Sequence, residues 1–193
     1  MDEFKKYSEY TLKSMTDTNL FPPTEVLDLI TPVDGVALDI GFGNGQKTFE
    51  LAKKVKTVLA VDVVEIMKEY AEKNYYADNI TYSISDIANI DFPENYFDVI
   101  HSQFCFFYIL DKKSLFEKIY KCLKPGGQFI FADLTSLDKN PPIDYDCQRI
   151  STLDYIDILS ELKFSNILFV KEENLKIDKE YSNQFYNIIK CSK

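Results

Sequence analysis

From Val36 onward the chain alternates short, apolar, β-branched runs with segments of helical spacing, an alternation that leaves few folds open. The strand-like runs are Val36–Ile40, Thr57–Val61, Ile80–Ser85, Phe97–Gln103 and Gln128–Leu134. Helical patterns fall between them at about Gln46–Lys54, Val64–Asn74 and Ser114–Leu123. In the last of these, Leu115, Phe116, Ile119, Cys122 and Leu123 form one apolar stripe, with Asp111 as cap and Pro125-Gly126-Gly127 as stop. The connection Ile87–Tyr96 lacks periodicity and contains Pro93, so it reads as loop with one helical turn. Strands alternating with helices predict a parallel sheet with crossovers, hence a three-layer α/β sandwich, in which ligands bind beyond the carboxyl ends of the strands near the reversal of strand order. The tail adds a helix over 151–162, with Leu153, Ile156, Leu159 and Leu162 inward and Ser151 or Thr152 as N-cap, then strands over 166–170 and 185–191. The polar stretch Glu172–Asn183 joins those two strands.

Three of the six glycines crowd into Gly41-Phe42-Gly43-Asn44-Gly45, between the first strand and its helix. Glycine tolerates positive φ and lets backbone lie against a ligand. With the free N–H groups of the following helix, the loop reads as a cradle for a small molecule with a polar or anionic end. Asp39, Asp62 and Asp86 each stand at the end of one of the first three strands. In a parallel sheet those ends share one edge, so the three carboxylates are expected to line one groove beside the loop. Singly, each is also an ordinary turn or cap residue. An acid ending the second strand is placed to accept from ribose hydroxyls. The pattern is G-x-G-x-G with Gln46 next, not the dinucleotide G-x-G-x-x-G/A. Asp39 before the loop repels a pyrophosphate and suits a ligand's ammonium group. Adenosine bearing an amino acid fits better than a dinucleotide.

Composition narrows the partners. The 193 residues carry 31 acidic against 22 basic side chains, a net charge of −9, which argues against nucleic acid. The pairs Lys53-Lys54 and Lys112-Lys113 read as solvated helix faces. No apolar run reaches the roughly 20 residues of a membrane helix, and the N-terminus lacks a signal-peptide core, so a cytoplasmic location is expected. Cys105, Cys122, Cys147 and Cys191 are scattered and expected to be free thiols; with one histidine, His101, no metal site is expected.

These residues resemble the class I S-adenosylmethionine-dependent methyltransferases, in the small-molecule, methyltransferase type 11-like form. Leu38-Asp39-Ile40-Gly41-Phe42-Gly43-Asn44-Gly45 resembles the first motif, Val61-Asp62 the second and Ser85-Asp86-Ile87 the third. Phe92–Ile100 resembles the lead into strand four, and Leu123-Lys124-Pro125-Gly126-Gly127 the turn into strand five. The five occur in family order over roughly residues 36–134. The resemblance implies a Rossmann-like, mostly parallel seven-stranded sheet with an antiparallel last strand. It implies one domain over 1–193: N-terminal lid helices over about 1–31, a cofactor core over 36–134 and a C-terminal part over 135–193. It implies S-adenosylmethionine as cofactor and S-adenosylhomocysteine as product. The cofactor residues carried over are Asp39, Gly41, Phe42, Gly43, Gly45, Asp62, Val63, Asp86, Ile87 and Gln103. Phe42, where the family commonly has a small residue, is expected against the cofactor or the lid.

In methyl transfer the protein chiefly aligns the acceptor and excludes water, so catalytic residues leave a faint trace. The candidates are Tyr108 and His101. Tyr108 is divided between substrate contact and packing with Phe104, Phe106 and Phe107; for His101 a structural role is favoured. Tyr7–Thr18, with Tyr7 and Tyr10, resembles a lid helix, a second helix is expected within Pro22–Ile30, and Thr135–Gln148 is an irregular loop bordering the site. The expected partner is a small-molecule methyl acceptor, cationic or amine-bearing, with the chain a monomer or homodimer. Three alternatives stay open: a cofactor-binding regulatory protein without turnover, a nicotinamide-dependent oxidoreductase and an RNA methyltransferase.

Overall fold

The computed structural model describes residue 12 and residues 25–136, 148–174 and 185–193. The proposed lid residues Tyr7 and Tyr10, most of the loop Thr135–Gln148 and most of the connection Glu172–Asn183 lie outside the described residues. The described elements include one seven-stranded sheet of order β3-β2-β1-β4-β5-β7-β6, mixed in direction and flanked by helices, the Rossmann-like arrangement expected. The chain divides into two compact units, Met1–Asp91 and Phe92–Lys193.

The first unit contains α1 (Glu25–Asp28), β1 (Val33–Ile40), α2 (Gln46–Ala52), β2 (Val55–Asp62), α3 (Glu65–Asn74) and β3 (Ile80–Ile84). A 3-10 turn, Ile87–Asn89, follows. β2 lies between β1 and β3 and pairs in parallel with both, Ala37 opposite Val58 and Val58 opposite Ile80. Ala37, Leu38 and Ala60 are fully buried, as interior parallel strands require. α2 buries Thr48, Leu51 and Ala52, while α3 buries Met67 and Ala71. The helix expected to reach Lys54 stops at Ala52, and the one expected within Pro22–Ile30 is helical over Glu25–Asp28 among the described residues.

The second unit runs through β4 (Phe97–Gln103), a 3-10 turn (Phe106–Tyr108), α4 (Lys112–Cys122), β5 (Leu123–Thr135), α5 (Thr152–Glu161), β6 (Ser165–Asn174) and β7 (Phe185–Ser192). β4 and β5 are parallel; β7 runs antiparallel to β5 on one side and to β6 on the other. Asp111 caps α4 by accepting from Ser114 N–H at 3.0 Å, as its position predicts. The core is aromatic: Phe116 meets Phe106, Phe129 and Phe131 at centroid distances of 5.2, 5.4 and 5.6 Å, mostly edge to face.

Two expectations fail here. Leu153 was assigned to the buried face of α5 but is 70% exposed, and Tyr155 with Leu159 forms that face. The N-cap explains the phase: Ser151 and Asp154 form a capping box that commits the first turn to solvent. Lys112 was assigned to a solvated face but is 3% exposed; only Lys113 behaves as expected, ion-paired with Glu161 at 2.8 Å. No described helix is long and apolar enough to cross a membrane.

Candidate functional site

β1 delivers the chain into the glycine loop with Gly41, Gly43 and Gly45 at φ +74°, +51° and +84°, left-handed backbone that glycine alone enters freely. The N–H groups of the three glycines are all accepted within the protein. Gly41 N–H donates to Val61 O (2.8 Å), Gly45 N–H to Phe42 O (3.0 Å), and Gln46 N–H to Asn44 Oδ1 (3.1 Å). Gly43 N–H donates to Asp62 Oδ2 at 2.9 Å. The glycine N–H groups are therefore not the free donors that the sequence suggests. Gly45 has a second duty. A Cβ there would stand 2.6 Å from Ala71 Cβ and 2.9 Å from Tyr82 Oη, so α2 starts against α3 at a distance only glycine permits.

Asp62 closes the loop from the end of β2. Its Oδ1 accepts from Val64 N–H at 3.0 Å while Oδ2 holds Gly43. Burial pushes its acidity weaker, and the N–H groups of Gly43, Val64 and Val63 oppose that shift. Each oxygen retains a second lone pair for a ligand hydroxyl. Val63, next along, is 55% exposed. Asp86 is exposed and caps its 3-10 turn, accepting from Ala88 N–H (2.9 Å) and Asn89 Nδ2 (3.0 Å); Ile87 beside it is buried. Asp39 departs from its expected place in the groove. It is 1% exposed and lies beneath the loop, where Thr48 Oγ1 donates to it at 2.6 Å. Phe42 departs too: its ring is 4% exposed and packs edge-on to Tyr82 at 5.0 Å, leaving its backbone to the loop. The Tyr82 hydroxyl donates to Tyr75 O at 3.0 Å, and burial with the Asp39 charge holds it protonated.

In the second unit Gln103 ends β4, half-buried, and Phe104 turns the chain at φ +54°. A bulky residue is strained in that region, and such strain gathers at functional turns. Phe104 N–H is fixed to Ala132 O at 2.8 Å. Tyr108, in the 3-10 turn that follows, is 47% exposed with its ring 4.0 Å from that of Phe107. His101 is 1% exposed in mid-strand.

Four polar residues of this unit escaped the sequence reading. Asp133 is fully buried near the end of β5 and accepts the Tyr155 hydroxyl from α5. Burial raises its pKa to about 7 against the pull of that hydroxyl and of the Lys112 ammonium. Lys112 Nζ donates to Gln148 O (2.6 Å) and Ile109 O (2.8 Å), and Gln148 N–H donates to Phe107 O (2.6 Å). Arg149, the chain's sole arginine, keeps its Nε buried without a hydrogen-bond partner among the described residues. The strand-end dipeptide Ala132-Asp133 was the available signal for the first; a lone Arg149 in irregular sequence offered none.

The comparisons agree with this construction. Residues 38–131 match the family model described as a methyltransferase domain. The chain is 29% identical over 170 residues to the phosphoethanolamine N-methyltransferase of Plasmodium falciparum, covering 83% of this chain and 60% of that protein. Phosphoethanolamine N-methyltransferase 3 of Arabidopsis thaliana is 32% identical over 111 residues, 56% of this chain and 23% of that one. The chain thus spans less than two thirds of the length of these curated relatives. Among solved structures, Haemonchus contortus phosphoethanolamine N-methyltransferase 2, in complex with phosphomonomethylethanolamine and S-adenosylhomocysteine, superposes with a TM-score of 0.75 at 19% identity. It covers 88% of this chain and 52% of that one, a likeness of fold. Motifs, fold and family model converge on one statement: residues 38–131 are a methyltransferase domain of the class I S-adenosylmethionine-dependent family.

Proposed function

We propose that this chain transfers the methyl group of S-adenosylmethionine to the nitrogen of a small amine that carries an anionic group, phosphoethanolamine being the type. The cofactor supplies an activated methyl on a sulfonium, so the protein's task is to bind, orient and exclude water. In this reading Asp62 receives the ribose hydroxyls, Asp86 and Ile87 border the adenine, and Val63 covers its open side. Gln103 is assigned to the methionine part, and Asp39 acts through Thr48 on the loop's shape. A loop whose glycine N–H groups are already accepted suits a cofactor without a pyrophosphate, which sets the nicotinamide alternative aside.

The observation that carries the acceptor class is Arg149. Arg149 keeps a buried Nε with no hydrogen-bond partner among the described residues, a donor that an anionic group would satisfy, and Gln148 before it is bonded to the turn that bears Tyr108. The names of the relatives support a phosphate monoester as that anion. Tyr108 is the proposed contact for the acceptor nitrogen, its hydroxyl oxygen accepting a hydrogen bond from the amine while the amine's proton is lost to solvent; His101 supports β4 from within. The test is formation of S-adenosylhomocysteine by the purified chain with phosphoethanolamine, ethanolamine and ethylamine. Turnover is expected with phosphoethanolamine alone, and Arg149→Ala should raise its KM at least tenfold. Equal turnover of ethanolamine, or none of any amine while the cofactor binds, overturns the acceptor assignment.

A further inference from the structure

We infer that Lys112 is a positioning residue, a clamp that holds the arginine-bearing segment against the turn carrying Tyr108. The inference rests on the acceptor reading above and adds the device that assembles it. Lys112 occupies the first position of α4, where the positive end of the helix dipole disfavours an ammonium. It is nevertheless 3% exposed, although burying a lysine is costly unless its charge is matched. The compensation is specific. Nζ reaches one carbonyl on each of two separate segments, Ile109 O just after the 3-10 turn and Gln148 O just before Arg149. The Asp133 carboxyl also interacts electrostatically with this ammonium.

A third bond closes the arrangement: Gln148 N–H donates to Phe107 O inside the turn itself. Beyond Arg149, Ile150 pairs with Thr135 of β5 and its carbonyl accepts from Ser136 N–H at 3.2 Å. The backbone on both sides of Arg149 is therefore tied down, on one side to β5 and on the other by Lys112 to the Tyr108 turn. A core built only for stability has little reason to place an ammonium there, since an apolar side chain of the same length fills the space without desolvating a charge. What an apolar side chain cannot do is bond two carbonyls at once and so fix the distance between the segments.

The experiment uses the full chain with Lys112→Met, Lys112→Arg and, as a second loss variant, Lys112→Gln. Three quantities are read: S-adenosylhomocysteine affinity, hydrogen exchange at the Gln148 amide, and kcat/KM with phosphoethanolamine. For Lys112→Met we expect cofactor affinity within about twofold, because the carbonyls that Lys112 binds belong to Ile109 and Gln148 and not to the residues assigned to the cofactor. Gln148 exchange should quicken more than tenfold and kcat/KM should fall roughly 10- to 100-fold, the scale of a small misplacement. Lys112→Arg, able to donate to both carbonyls, should recover most of both. Unchanged exchange at Gln148 in the loss variants overturns the clamp. Faster exchange with unchanged kcat/KM overturns its positioning role and leaves a structural one. Failure of the wild-type chain to methylate phosphoethanolamine is a different result, which removes the acceptor reading and leaves the exchange measurement to decide the clamp.

Discussion

Replacing Gly45 by alanine tests the cofactor loop where backbone and packing demands coincide. At φ +84° an alanine meets its own carbonyl, at a cost of about 1–2 kcal/mol. Its methyl would also lie 2.6 Å from Ala71 Cβ and 3.2 Å from Ala71 Cα. Neither neighbour can rotate away, so α2 and α3 must part, and overpacking of this kind costs about 1–3 kcal/mol. Lower entropy of the unfolded chain returns about 0.4–1 kcal/mol, leaving a net loss of about 2–4 kcal/mol. Gly126→Ala is the matched control: φ is +76°, but nothing lies within 4 Å of the new methyl. It carries the backbone cost alone. Urea unfolding of both variants, each with and without S-adenosylhomocysteine, measures the difference. Gly45→Ala should be the less stable by about 1–3 kcal/mol and should bind the product weakly. Equal losses in the two variants would refute the close approach of the helices.

Asp62→Ala removes the acceptor for Gly43 and Val64 N–H, so it should both loosen the loop and weaken S-adenosylhomocysteine by more than tenfold in calorimetry; unchanged affinity defeats the ribose assignment. Asp133, raised from 3.8 to about 7, binds a proton in the native state that the unfolded chain releases. Its contribution is therefore full below about pH 4 and lost as pH rises through 7, amounting to about 4 kcal/mol. Asp133→Asn should flatten that slope of stability between pH 4 and 7, and a slope identical to the wild type's would contradict the buried acid. Ser151→Ala breaks the capping box of α5 and should lower stability by about 0.5–2 kcal/mol in thermal unfolding, with no change in cofactor affinity.

The glycine-loop half of the candidate site was legible because its signals are local. Gly41, Gly43 and Gly45 announce positive φ, and Asp62 announces a strand end, without knowledge of anything distant. Their use was less legible: that Asp62 spends two lone pairs on Gly43 and Val64 depends on β2 ending beside the loop, which only the fold arranges. Asp39 and Phe42 were drawn toward the ligand since sequence gives a residue's place and not the direction of its side chain. The acceptor half was nearly silent. Lys112 and Lys113 are indistinguishable in sequence, yet one is buried under two carbonyls and the other pairs with Glu161 in solvent. Tyr155 was passed over for Leu153 because hydrophobicity, not a hydroxyl seeking Asp133, set the assumed phase of α5.

The loop whose glycine N–H groups are already accepted has an electrostatic consequence. A nest of free N–H groups attracts negative charge, and dissolved salt loosens its ligand by screening that attraction. Here the glycine N–H groups are taken and Asp62 and Asp86 stand at neighbouring strand ends, on a chain of net charge −9. S-adenosylmethionine carries one positive charge more than its product, so the protein's field draws substrate in and, once the methyl has left, has less hold on what remains. Rising ionic strength should therefore weaken S-adenosylmethionine more than S-adenosylhomocysteine, narrowing the difference on which turnover without product trapping depends.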